Sequence, residues 1–146
     1  MNDFEVLQGV PLFKALNPKY LKTIYKACTR RDFAPGEYLV EQGTQGVGLF
    51  IIESGLVKVI KTRTDGTIID VAKHGPGEFI GEMSIIDGAP RSASVQALEA
   101  TQCLVLSSWS FQSILEAHPE VALGILPMLA KRFRETNEAL LKAQGE

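Results

Sequence analysis

The chain has 146 residues, 45% of them hydrophobic and 22% charged, with a mean hydropathy of +0.07; a chain of this size buries roughly two thirds of the surface it exposes when unfolded, so one domain with a true core is expected and disorder as the main state is excluded. Fifteen Lys and Arg stand against seventeen Asp and Glu, a net charge of −2, which offers no positive field to nucleic acid or acidic lipid. No run approaches the ~18 apolar residues of a membrane span, and Met1-Asn2-Asp3-Phe4-Glu5 has neither the basic nor the apolar stretch of a leader, so a cytoplasmic location without membrane attachment is expected.

In chain order, residues 1–28 read as N-terminal helices. Leu12-Phe13 open a helical segment, Asn17-Pro18 give a cap and first turn, and Leu21, Ile24, Tyr25 and Cys28 follow at helical spacing. Cys28 and its distant companion Cys103 sit in apolar surroundings and are read as small buried hydrophobes, not as a disulfide. From Thr29 the period changes. Short β-rich runs are expected around Asp32-Phe33, Tyr38–Val40, Leu49–Glu53, Val57–Thr62, Ile68–Lys73, Ser94–Leu98 and Gln102–Ser107. They are divided by Pro35-Gly36, Gly43, Ser54-Gly55, Asp65-Gly66 and Pro76-Gly77. Gly55, Gly66 and Gly77 fall eleven residues apart, the cadence of hairpins in an antiparallel jelly roll. The expected fold is therefore α+β but mainly β, a β-roll over residues 29–107 closed by C-terminal helices over 108–146.

Ser107-Ser108 caps a helix carrying Trp109, Phe111, Ile114 and Leu115, and His118-Pro119 ends it and starts another. From Pro119 to about Lys142, Ala122, Leu126, Leu129, Phe133, Thr136 and Leu140 alternate at spacings of four and three, a coiled-coil seam. The stripe either packs on its own domain or pairs with the same helix of a second subunit, and its persistence over three heptads favours a homodimer. Pro127 lacks an amide hydrogen and crowds the carbonyl of Leu123, so the helix is expected to kink or begin there. Beyond Gln144 no linker or second domain is expected.

Residues 75–95, GPGEFIGEMSIIDGAPRSASV, do not alternate as a strand does. Four glycines and two prolines surround a short helical run, Glu82 to Ile86, so the backbone approaches something closely and presents amides to an anion. Arg91 follows behind Pro90, and a guanidinium grips a phosphate through two parallel hydrogen bonds. The plainer alternative is a surface loop in which Arg91 pairs with Glu82 or Asp87.

The run Gly77-Glu78-Phe79-Ile80-Gly81-Glu82, continuing to Pro90-Arg91-Ser92-Ala93, resembles the phosphate-binding cassette of cyclic-nucleotide-binding domains. The likeness extends over nearly the whole chain, through Gly36, Gly43, Gly55 and Gly66 and the order of helix, roll and closing helices, and is nearest to the cyclic-AMP-binding half of the catabolite-activator, or Crp/Fnr, group. The resemblance implies a cassette at 77–93 in which Arg91 binds the cyclic phosphate, Glu82 accepts from the ribose 2′-hydroxyl, and amides around Gly81, Met83, Ser92 and Ala93 complete the oxygen contacts. A carboxylate beside a phosphate is tolerated only with the arginine in place, so the two act as one device. Phe79, Ile80, Met83 and Ile85 are read as core that also excludes water. Thr136 and Asn137 interrupt the apolar seam. They either set register across a dimer or, as the resemblance implies, reach the base, Asn137 standing where the group has a serine. Ser92 suits the bacterial relatives, and a hydroxyl there also suits guanine in its syn form, so cyclic AMP is expected and cyclic GMP is the alternative ligand.

His74 and His118 are too few and too scattered for a metal site and are given ordinary structural roles. No Ser/His/Asp set, paired nucleophilic Cys or nucleoside-triphosphate loop is present, so no enzyme is expected. Lys131, Arg132 and Arg134 are read as a solvated face, and the chain is expected to lack the DNA-binding domain with which the group's regulators continue. The expectation is a cyclic-nucleotide sensor acting on an unknown effector by ligand-linked rearrangement of its C-terminal helix; the rival is an interaction or scaffold domain of the same fold with an unoccupied pocket.

Overall fold

The computed structural model describes residues 3–45 and 48–145; Met1, Asn2, Gly46, Val47 and Glu146, which the expected single domain of 1–146 includes, lie outside the described residues. Two 3₁₀ segments, Asp3–Gly9 and Pro11–Phe13, lead into α1 (Pro18–Ala27), capped by the Asn17 side chain, which accepts from Lys19 N at 3.0 Å. Then come β1 (Thr29–Phe33), β2 (Tyr38–Val40), β3 (Gly48–Ser54), β4 (Val57–Thr62), β5 (Ile68–His74), β6 (Phe79–Ile80), α2 (Ser84–Asp87), β7 (Ser94–Ala97), β8 (Thr101–Ser107), α3 (Ser108–Ala117) and α4 (Pro119–Gly145).

The strands form two antiparallel four-stranded sheets, ordered β1-β8-β3-β6 and β2-β7-β4-β5. This is the jelly roll expected from the turn cadence. The strand that alternation did not reveal is β6. It is only two residues long, too short to show any period, and it pairs Phe79 with Ile51 and Ile80 with Phe50 of β3.

Alternation along β3 explains the two cores. Leu49 and Ile51 share a core with Leu12, Phe13, Leu21, Phe111 and Val121 of the helical segments, whereas Phe50 and Ile52 share the other core with Phe33, Val57, Val95 and Cys103 of the roll. β3 is thus apolar on both faces, as a strand covered on both sides must be. Phe13 and Phe111 pack at a ring-centroid distance of 5.9 Å where the N-terminal segment crosses α3, and each fully buried side chain of this size contributes about 1.5–3 kcal/mol. Cys103 is fully buried and Cys28 partly so, its Sγ donating to Ile24 O; burial pushes both thiols up to about 12, so both stay protonated and inert. The β3–β4 turn requires glycine at 55. Its φ is +102°, and a Cβ there would lie 2.6 Å from the Ala100 carbonyl oxygen.

The Ser107 side chain accepts from Ser110 N at 3.2 Å and caps α3 as expected. α4 does not begin at Pro127, one of the two forms expected of it. It runs unbroken from Pro119 to Gly145 with Pro127 inside it. Leu123 and Pro127 lie on the exposed side, where water can take the carbonyl bond that Pro127 leaves unmade. Its buried residues are Val121 and Ile125, and of the seam Leu129 packs against the same core, whereas Leu126 is 57%, Phe133 73% and Leu140 54% exposed. Gly124 permits this close seating, since a Cβ there would meet Leu16 Cδ2 at 2.7 Å.

Candidate functional site

Residues 77–93 leave the roll and return to it. β6 is tied to β3, and Gly81 then turns the chain with φ +83°. A Cβ at 81 would overlap the Arg91 guanidinium and sit 2.6 Å from the Gly48 carbonyl oxygen, so only glycine lets the guanidinium lie against this backbone. Glu82 follows, then α2, which is shorter than the expected Glu82–Ile86 run. It is anchored by buried Ile85 and ends at Gly88, whose left-handed conformation stops the helix.

Arg91 is held by its own backbone. Its N–H donates to Thr44 O and its carbonyl accepts from Gly43 N, both at 2.8 Å, while Pro90 bridges to Gln45. The side chain, 8% exposed, donates from Nη2 to the Gly48 carbonyl. Burial lowers its pKa below the ordinary guanidinium value, yet an arginine stays charged. Among the described residues it makes no ion pair with Glu82 or Asp87, so the plain surface-loop alternative does not describe this side chain. Glu82 is 4% exposed. Among the described residues Glu82 Oε2 and Arg91 Nε have no hydrogen-bond partner, and Glu82 Oε1 meets only a cation from α4. Buried polar atoms left unpaired cost about 1–3 kcal/mol each; Glu82 Oε2 and Arg91 Nε belong to two side chains that line one cavity.

That cavity has a volume of about 350 Å³. Gly81, Glu82, Met83, Arg91, Ser92 and Ala93, all named from the sequence, line it together. Thr136 and Asn137 do not; both are exposed on α4. The residue from α4 that does line it is Arg132, and its Nη1 makes an ion pair with Glu82 Oε1. This corrects the reading of Lys131, Arg132 and Arg134 as a uniformly solvated face. Only Arg132 among them is partly buried, and Lys131 pairs with Glu135 on the solvent side. The signal was helical phase: Val121, Ile125, Met128 and Arg132 follow at spacings of four, three and four, the stripe that α4 turns toward the domain. Thr136 continues that stripe about 6 Å further along the axis.

His74, given an ordinary structural role from the sequence, also lines the cavity. Its Nδ1 lies 2.8 Å from Glu78 Oε2, and Glu78 Oε1 accepts from Gly75 N at 2.8 Å. The His74 bond holds the Glu78 carboxyl below its ordinary value, with the Gly75 amide adding to the effect. Among the described residues no group of three or more His, Cys, Asp or Glu is disposed to hold a metal ion. No helix described is long and apolar enough to cross a membrane.

Comparison with known proteins follows the same lines. The family profile described as cyclic nucleotide-binding domain matches residues 30–118. The chain is 34% identical over 131 residues to the cyclic AMP receptor protein of Thermus thermophilus, spanning 90% of this chain and 61% of that relative. It is 30% identical over 109 residues to a cAMP-dependent protein kinase regulatory subunit of Hypocrea atroviridis, spanning 75% of this chain and 22% of that one. Its structure superposes with a TM-score of 0.84 and 36% identity on the N-terminal domain of a transcriptional regulator from Streptomyces coelicolor, covering 92% of this chain and 96% of that one.

Proposed function

Because this chain belongs to the cyclic nucleotide-binding domain family, we propose that it is a sensor module that binds cyclic AMP in the cavity between its roll and α4 and passes occupancy on through α4. The observation that carries this reading is the pair of buried, incompletely satisfied side chains, Glu82 and Arg91, facing one cavity. A 3′,5′-cyclic phosphate carries one negative charge and two exocyclic oxygens, which the Arg91 fork answers. Cyclisation leaves only the 2′-hydroxyl free on the ribose, and a buried carboxylate accepts its hydrogen bond, separating ribose from deoxyribose.

The ligand arrives where Arg132 touches Glu82, so binding alters the contact that ties α4 to the cassette. A ligand shifts a conformational equilibrium only by its difference in affinity for the two states, and α4 is the element whose contacts differ. Thr136 and Asn137 reach the base once α4 closes down, and the exposed stripe of Leu126, Phe133 and Leu140 pairs two chains as a homodimer. The effector is a separate protein or a further part of a longer chain.

Isothermal titration with cyclic AMP, cyclic GMP and 2′-deoxy cyclic AMP tests the reading. Cyclic AMP is expected to bind most tightly and the deoxy form more weakly. Absence of binding by any cyclic nucleotide overturns it in favour of a scaffold domain.

A further inference from the structure

The cavity is polar at one end and apolar along its wall. Glu82, Arg91 and Arg132 gather at the floor, whereas the wall is a cross-strand row of small apolar side chains on the second sheet. Register builds this row: Val40 opposes Val95 and Val95 opposes Val59; Ala72 of β5 pairs with Val59 but does not line the cavity. His74 stands two residues beyond Ala72, on the same face of β5, opposite Val57. It is the one imidazole at the cavity, placed where the apolar wall ends.

Its orientation is clamped. Glu78 is tied by Oε1 to Gly75 N and by Oε2 to His74 Nδ1, both at 2.8 Å, across the turn Gly75-Pro76-Gly77. A carboxylate only accepts, so Nδ1 carries the hydrogen and Nε2 of the uncharged ring is left with a lone pair for a ligand. A purine lying against the valine row puts its polar edge where that row ends.

Building on the binding reading above, we infer that His74 is a specificity residue of this site, its Nε2 accepting a hydrogen bond from the exocyclic amine of the bound base, with Glu78 as the residue that positions the ring. Such an acceptor rewards a base carrying an amine over one without it, a distinction that Arg91 and Glu82 cannot make because they hold only phosphate and ribose.

Two ligands that differ only in that amine isolate the contact: cyclic AMP and the 3′,5′-cyclic monophosphate of purine riboside. In the parent protein, loss of the amine is expected to weaken binding by about threefold to tenfold, the worth of one neutral hydrogen bond. In His74→Leu, which keeps bulk and removes the nitrogen, the two ligands are expected to bind within about twofold of each other, while affinity for the purine analogue stays near the parent's and reports an intact site. A parent that binds both equally, or a His74→Leu protein that still discriminates as the parent does, overturns the inference. If the parent binds neither, the binding reading itself has failed. Should His74→Leu fail to fold, Glu78→Ala decides: releasing the ring is expected to erase the amine preference, and a preference kept in full overturns the assignment.

Discussion

At the scale of single residues the site is a problem of charge held in a dry place. Arg91 is buried, its charge costs solvation, and its Nε has no partner among the described residues, which leaves a charge that an anion is suited to meet. Arg91→Ala is therefore expected to weaken cyclic-nucleotide binding by about 1.5–3 kcal/mol, the range of hydrogen bonds to charged groups. Arg91→Lys is expected to recover only part of this, since an ammonium restores charge but not the two-pronged fork. Calorimetric affinities for the three proteins check the ordering, and equal affinity in parent and Arg91→Ala would remove the arginine from the site. Gly81→Ala attacks the same device from the backbone. Its φ of +83° and the overlap of a Cβ with the guanidinium force Arg91 out of place, so binding is expected to fall as far as in Arg91→Ala while circular dichroism still reports the roll.

At the scale of elements, α4 is fastened near its start and free at its end. Val121 and Ile125 are buried, every residue from Phe133 to Gly145 is exposed, and the Arg132–Glu82 ion pair lies at the boundary. Arg132→Ala removes that fastening and leaves Glu82 buried without a partner. Faster amide hydrogen exchange is expected over residues 128–142 in the ligand-free variant, with the roll unchanged; identical exchange in parent and variant would show that the pair holds nothing. The elements also show where sequence reasoning reaches and where it stops. Seven strands, the Ser107 cap and the start of α4 were legible because period, cap chemistry and turn glycines are local. β6 was not, because two residues have no period. Arg132 could not be told from Lys131 and Arg134 by residue type; phase against Val121 and Ile125 separates them. His74 was passed over because its approach to the cavity depends on the register of β5 against β4, a property of two strands and of neither alone.

At the scale of the whole molecule, the apolar stripe of α4 is the surface that the single chain leaves unexplained. Leu126, Phe133 and Leu140 recur every seven residues and are 57%, 73% and 54% exposed, on a helix whose residues 133–145 are all exposed. Three large side chains on one seam, each worth about 1.5–3 kcal/mol when buried, act against the entropic cost of association, and two copies meeting in parallel bury the stripe along its length. The seam residues were visible in the sequence; which surface covers them was not, because a heptad pattern describes a face and not its partner. The parent is expected to be a dimer by multi-angle light scattering, with or without ligand. Phe133→Asp together with Leu140→Asp places charges where the helices meet, and burying unpaired carboxylates is costly enough to separate them, so this variant is expected to run as a monomer with an intact roll by circular dichroism. Its α4 should also exchange amide hydrogens faster beyond Arg132, since no second helix then covers it. A parent that is monomeric at high micromolar concentration overturns the pairing.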